Sequence, residues 1–427
     1  MRKVTKILLK AISVTVLFLI FCPIVLTLLV SLPSVQNFVV GRAVKYASRR
    51  LETTVSIDRI RIGALGSVRV DGFYVEDYQQ DTLLYVGCLQ LHLAGMRGDR
   101  SGIVLKNGEL KDSKLYLRET PDGVMNIKQV MDRISNKEKK GGGDFGFKIR
   151  NVQVDDLTLV IEHREHRDPE YGIDYSDMHL EHTSAFIDDF TLRGGMIGGD
   201  IRNFSTTEHC GFRIDNFKGR FLVDRGIIDL RDFEIVTDKS AIRLKSLVLR
   251  GENWASYKDF VHNVAIDGEL YDTSVSTDDI AHFAPGLLPW KLAVKDMQVS
   301  VAGSVADMNV DVQNISFGEG TSLRTNVSLQ GLPDIGRTTM AVDLKRLATC
   351  EADVSRLASG IGGSELPERL RSVMNGAGEM ICAGRFNGGI RSFATDLKLT
   401  TQAGNVSVAV KRTPMNMEAG DTVRRYA

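Results

Sequence analysis

From Val55 to Val410 apolar residues recur at every second position, a period that confines the chain to strands with one apolar and one polar face. Leu157, Leu159 and Ile161 alternate with polar neighbours. Leu397, Leu399 and Thr401 do the same, then Val406, Val408 and Val410 across the turn Gln402-Ala403-Gly404-Asn405. Antiparallel hairpins produce this pattern. The parity slips at three places: Leu230 is followed by Phe233 and Ile235, Val312 by Ile315 and Phe317, and Ile390 by Phe393. A step of three keeps one face apolar only if an extra residue is inserted, so each slip predicts a β-bulge. Forty glycines against nine prolines suit a sheet rich in turns and bulges.

The slips recur with a spacing of about 80 residues. Gly219-Arg220-Phe221, Gly303-Ser304-Val305 and Gly384-Arg385-Phe386 share that offset. Between them lie short helical patches, Asp279 to Ala284 and Asp353 to Ala358, each followed by an apolar–proline step at Leu288-Pro289 and Leu366-Pro367. Shared order and spacing predict a long structural repeat. A smaller echo links Asn107-Gly108-Glu109-Leu110-Lys111-Asp112 with Asn151-Val152-Gln153-Val154-Asp155-Asp156. Asn136 to Gly143 (NKEKKGGG) reads as a solvated connection. The expected fold class is mainly β: a long, repetitive antiparallel sheet with short interspersed helices. Its apolar face demands cover, either from the sheet itself as a dry core or from something apolar held in a groove.

The N-terminus supplies an address. Residues 1–10 carry Arg2, Lys3, Lys6 and Lys10 and no acid, and residues 11–32 hold no charged side chain. Such a stretch, about 33 Å long as a helix, matches a bilayer core of about 30 Å. A cleaved signal would have a shorter apolar region and an A-x-A-like site. The segment through Ala11, Leu17, Phe18, Leu26 and Leu32 therefore reads as a transmembrane signal anchor, with the bulk of the chain outside. Leu19-Ile20-Phe21 before Cys22 lacks the small residue of a lipobox. Residues 33–52 read as an amphipathic helix with Val35, Phe38, Val39, Ala43, Tyr46 and Ala47 on one face, for the membrane surface or the end of the next domain. A first β-region (53–135), the loop 136–143 and the repetitive region 144–427 follow.

Lys+Arg and Asp+Glu number 54 each, so nothing marks a nucleic-acid partner. Cys88, Cys210, Cys350 and Cys382 are too sparse for a disulfide scaffold and read as isolated thiols. Four histidines, His163, His166, His179 and His182, cluster with Glu162, Glu165, Asp168, Asp177 and Glu181. Two H-x-x-H spacings would suit zinc or copper if the side chains converged. The bland reading is a polar loop with one partly buried histidine. Gly194 to Gly199 lacks the Lys-Ser/Thr of a phosphate loop and reads as a hairpin turn or bulge. No nucleophile elbow or spaced carboxylate pair stands out, so no catalytic residue and no cofactor are expected.

The basic start, the anchor, Val35-Gln36-Asn37-Phe38, Val55 to Ile60, Val70 to Asp77 and Asp81 to Tyr85 resemble the opening of AsmA-like/TamB-like proteins of the Bacteroidota. Gly331-Leu332-Pro333-Asp334 is similar to that family's recurrent G-L-P-D step. Such proteins usually continue for more repeats into a C-terminal TamB domain, so the resemblance is to an N-terminal portion or truncated member. It implies an inner-membrane, single-pass protein with a periplasmic β-groove, curled like a taco, that moves phospholipid towards the outer membrane. The expected groove face comprises Phe233, Ile235, Ile315, Phe317, Phe393, Leu397 and Leu399. The alternatives are a scaffold for assembling outer-membrane β-barrel proteins with a barrel partner, and a β-repeat surface enzyme or adhesin.

Overall fold

Alternation at period two does fold into strands here, and almost all of them join the neighbour next in sequence. A computed structural model describes residues 33–412 except 64–65, 97–101, 129, 131–145, 166–168, 335, 363–364 and 390–391. Its described residues are mainly β, with eighteen strands. Two compact units meet between Ile214 and Asp215. The anchor residues Ala11, Leu17, Phe18, Leu26 and Leu32 lie outside the described residues. No described helix is long and apolar enough to cross a membrane.

The first unit opens with helix α1 (Pro33–Leu51) and continues through β1 (Val55–Ile62), β2 (Ser67–Glu76), β3 (Thr82–Met96) and β4 (Gly102–Arg118). Strands β5 (Gly146–Glu162), β6 (Asp177–Arg193) and β7 (Met196–Glu208) complete it. Gly194 and Gly195, both at positive φ, turn the β6–β7 hairpin. Val55, Val75, Leu83 and Val130 form a buried cluster against which Ala47 and Leu51 of α1, with Phe73, Leu84, Leu117 and Ile127, pack. Full burial of each such side chain contributes about 1.5–3 kcal/mol.

One expectation is corrected here. The sheet is not wholly antiparallel, because β4 and β5 pair in parallel, Asn107 against Asn151 and Leu115 against Leu159, at a constant offset of 44. The sequence echo is thus two neighbouring strands in register. A parallel pair needs a crossover rather than a hairpin, and the segment between Arg118 and Gly146 is long enough to make one. The loop at 136–143 lies outside the described residues.

The second unit is an antiparallel meander. It runs through β8 (Arg213–Asp224), β9 (Ile227–Thr237), β10 (Ala241–Arg250), β11 (Ala265–Ser276), β12 (Ala293–Gly303) and β13 (Asp307–Phe317). Then come β14 (Thr321–Gln330), β15 (Thr339–Thr349), β16 (Met380–Gly389), β17 (Phe393–Thr401) and β18 (Gly404–Arg412). The 80-residue period is four strands long: Gly219, Gly303 and Gly384 stand in β8, β12 and β16, all at positive φ. Helix α2 (Thr277–Ile280) follows β11, and helix α3 (Glu351–Gly362) follows β15 at the equivalent place.

Each of these helices pins an earlier hairpin turn through a buried carboxylate. Asp279 accepts hydrogen bonds from Thr237 Oγ1 (2.6 Å), the Lys239 amide (3.1 Å) and Ser240 Oγ at the β9–β10 turn. Asp353, fully buried, accepts from the amides of Glu319, Gly320 and Thr321 and from Thr321 Oγ1 at the β13–β14 turn. The first unit does the same in reverse. Asp77 in the β2–β3 turn accepts from the amides of Gln79 and Asp81 and from Asn126 Nδ2 (3.0 Å), in the helical turn after β4. A buried carboxylate is tolerated only when its lone pairs are met, and backbone amides meet them here.

The candidate functional site, a one-sided apolar sheet

Register decides which side chains share a face. In the second unit Phe233 and Ile235 of β9 lie opposite Leu244 and Ile242 of β10. Leu270 of β11 faces Leu244 and Val299 of β12, and Val299 faces Val312 of β13. Val312, Ile315 and Phe317 face Thr325, Leu323 and Thr321 of β14. Leu323 meets Leu347 of β15, which meets Cys382 of β16, which meets Leu399 of β17 and through it Val406 of β18. Phe393, Leu397 and Leu399 share that face with Val408, the partner of Leu397. All seven residues singled out by parity therefore stand on one continuous apolar face crossing ten strands.

Bulges make this possible. Between β13 and β14 the register shifts between Val312 and Ile315, as the slip predicted. In β9 Asp232 turns to φ 53°, and β10 shifts against β11 between Leu244 and Ser246. Ile390, the third slip, lies outside the described residues. The same device recurs where parity did not flag it: Asp156, Asp272 and Asp296 all sit inside strands at φ between 41° and 55°, each beside a register shift. Each is followed by the residue that resumes the inward face: Leu157, Thr273 and Met297. Aspartate is among the few L-residues that tolerate this conformation, and an extra residue there keeps the stripe in phase. The detectable signal was an aspartate immediately before each resumption.

The opposite face is charged and wet. Lys218 of β8 pairs with Glu234 of β9, which also meets Arg243 of β10 (3.2 Å), and Arg243 reaches Asp272 of β11 (2.7 Å). Lys218, and after the opposing effect of burial Arg243, hold the Glu234 carboxyl below the ordinary carboxylate range. Arg220 pairs with Asp232 on the same side. Along β17 exposure alternates strictly, with Asp396, Lys398 and Thr400 out, and β15 does the same from Thr339 to Lys345.

The apolar face is less than fully covered. Phe233 is 2% exposed, but Ile235, Ile315, Phe317, Phe393, Leu397 and Leu399 are only half-buried. At β18, Val406, Val408 and Val410 are 53%, 45% and 44% exposed. A sandwich core would bury these side chains outright. The described helices α2 and α3 sit at hairpin turns, where Asp279 and Asp353 hold them. Strand β18 has one hydrogen-bonded neighbour among the described residues, β17.

Among the described residues, His163, His179 and His182 do not converge. His163 meets Glu119 (3.3 Å), His179 meets Asp177 (2.9 Å), His182 meets Asp156 (3.1 Å), and His166 lies outside the described residues. Glu162, Asp177 and His179 do come within 4.8 Å of one another on β5 and β6. Two contacts already occupy them, a His179–Asp177 hydrogen bond and an Arg118–Glu162 ion pair (2.5 Å). Beside them the buried Glu208 accepts from the Cys210 and His179 amides. Burial would raise its carboxyl, yet the bonds from Cys210 and His179 and the nearby His209 hold it below the ordinary range. Burial, then Glu208, pushes the Cys210 thiol up to about 11, so it carries no thiolate at neutral pH. No disulfide joins the four described cysteines.

No protein-family model, curated protein or solved structure matches this chain.

Proposed function

We propose that this protein is an AsmA/TamB-type phospholipid carrier of the cell envelope and not an enzyme. Residues 11–32 hold it in the inner membrane by a single pass, and the remainder stands in the periplasm. The sheet of the second unit curls around acyl chains, which slide along the apolar face towards the outer membrane while head groups stay at its wet edge. One observation carries this reading: an apolar face that runs unbroken over ten strands while most of its side chains remain half-exposed. Soluble proteins rarely leave so large an apolar surface without a ligand. Burial of acyl chain gains about 0.8 kcal/mol per methylene, and a uniform face makes neighbouring positions nearly equivalent, so lipid is held everywhere and trapped nowhere.

Photo-crosslinking in membranes tests the proposal. A photoreactive residue at Phe317 or Phe393 is expected to capture phospholipid, and one at Arg324, on the polar face, is not. Ile315→Asp should abolish phospholipid transfer between vesicles. Equal capture from both faces, or transfer undiminished by Ile315→Asp, would sink the idea.

A second reading rests on β18, whose nine residues are all exposed and whose outer edge has no strand partner among the described residues. Such an edge accepts an added strand, as a scaffold for assembling outer-membrane β-barrel proteins requires. A crosslink from Val408 to a barrel protein, with no lipid capture at Phe317, would favour it.

A further inference from the structure

We propose that the outward face of α1 is a docking surface for anionic phospholipid, seating the first unit against a bilayer. The helix carries four bases, Arg42, Lys45, Arg49 and Arg50, and no acid. Its inward side is committed to the fold. Ala47 and Leu51 pack on the Val55–Val75 cluster, Ser48 Oγ accepts from the Val55 amide (3.1 Å), and Tyr78 donates to the Leu51 carbonyl. At 100° per residue, Phe38, Arg42, Lys45 and Arg49 fall within about 60° of arc on the other side, with Tyr46 beside them.

That outward side is chemically unusual for water. Phe38 is 65% exposed and Tyr46 is 71% exposed, whereas Ala47, grouped with them on one face by the sequence pattern, packs on the core cluster. The Arg42 guanidinium lies 5.5 Å above the Phe38 ring. Lone cations are well solvated, and lone aromatic rings belong in a core. Rings and cations on one exposed stripe suit a headgroup layer, where the ring enters the acyl boundary and the base meets phosphate. Charge complementarity selects the occupant, since a stripe with three bases and no acid, on a helix whose fourth base is Arg50, favours an anionic bilayer over a neutral one by roughly tenfold or more. The uncharged segment 11–32 ends one residue before the helix begins, which keeps the stripe close to any bilayer that segment enters. The proposal shares the membrane setting of the proposed function but does not depend on lipid moving along the sheet.

The full chain, with Trp254 and Trp290 replaced by Phe, is given a single reporter, Phe38→Trp or Tyr46→Trp. It is mixed with phosphatidylcholine vesicles with and without phosphatidylglycerol. Brominated acyl chains should quench both reporters, several-fold more in the anionic vesicles, and high salt should reverse the excess. Arg42→Glu combined with Arg49→Glu should remove that excess while the far-ultraviolet dichroism stays unchanged. Full access of iodide to both reporters in either lipid overturns the proposal. So does protection by an acidic polymer such as heparin with no dependence on vesicles. Loss of lipid capture at Phe317 with quenching intact would reject the carrier and leave this docking surface standing.

Discussion

The start of the first unit and the sheet of the second are written in the same alternating pattern, yet they end in different states. Around β1 and β2 the apolar residues Val55 and Val75 are 4% and 5% exposed, because α1 and Val130 lie over them. Along β13, β17 and β18 equivalent residues keep contact with solvent, and at Val406 half the side chain is exposed. Alternation sets which face is apolar. What lies above that face decides whether it becomes a core or a surface, and only a surface is available to a ligand.

Matched charges would test this contrast most strongly. Val75→Asp places an unpaired carboxylate in the closed cluster and should cost about 4 kcal/mol or more, with early proteolysis within β1–β3. Ile315→Asp enters a half-exposed face and should cost about 1 kcal/mol, read by urea unfolding. Similar losses at both positions would break the comparison, since they would mean that Ile315 is core.

The turn clamps come next. Asp353→Ala leaves three amides and a hydroxyl without their acceptor and should destabilise the β13–β14 hairpin by about 3 kcal/mol. Faster hydrogen exchange at Glu319, Gly320 and Thr321, with the β9–β10 turn unchanged, would show that each helix guards its own hairpin. Asp279→Ala should produce the converse pattern at Lys239.

Gly384→Ala is a smaller perturbation. Its φ is 152°, and a Cβ there would stand 2.0 Å from the Asp396 carbonyl oxygen, so β16 and β17 must separate slightly. A cost of about 2 kcal/mol is expected in thermal unfolding. Gly404→Ala, with open space around a similar φ, should lose less.

The smallest effect is acid dependence. Burial would raise the Asp353 carboxyl, but the amides of Glu319 and Gly320, then Thr321 and Cys350, hold it below the ordinary range. A depressed folded value means its contribution is complete above about pH 4 and is lost as pH falls through that lower value. The Asp353→Ala variant should therefore show a flatter loss of stability in acid than the parent chain. Equal slopes would mean that this carboxylate is not the clamp.

Much of this was legible in the residues. The apolar face, its seven marker residues and the slip at Val312 follow from local parity, because a strand's side chains alternate whatever surrounds them, and the spacing of about 80 residues follows from recurring slips and motifs. The aspartate bulges were also written there, at Asp232, Asp272 and Asp296, but a left-handed residue leaves no trace in hydropathy. The pairing of β4 with β5 was not legible as parallel, since an in-register neighbour and a distant repeat give the same echo. Nor did the histidine spacings foretell that His163, His179 and His182 would each take a separate carboxylate.

The amino-acid sequence by itself determined the strands, the sidedness of the sheet and the uncharged segment at residues 11–32, because each depends on covalent order and a fixed period. Tertiary structure alone decided which apolar residues are covered, which turns the buried carboxylates reach, and that Phe38 and Tyr46 face outward. Those outcomes depend on how far one segment stands from another, and no local period encodes that distance.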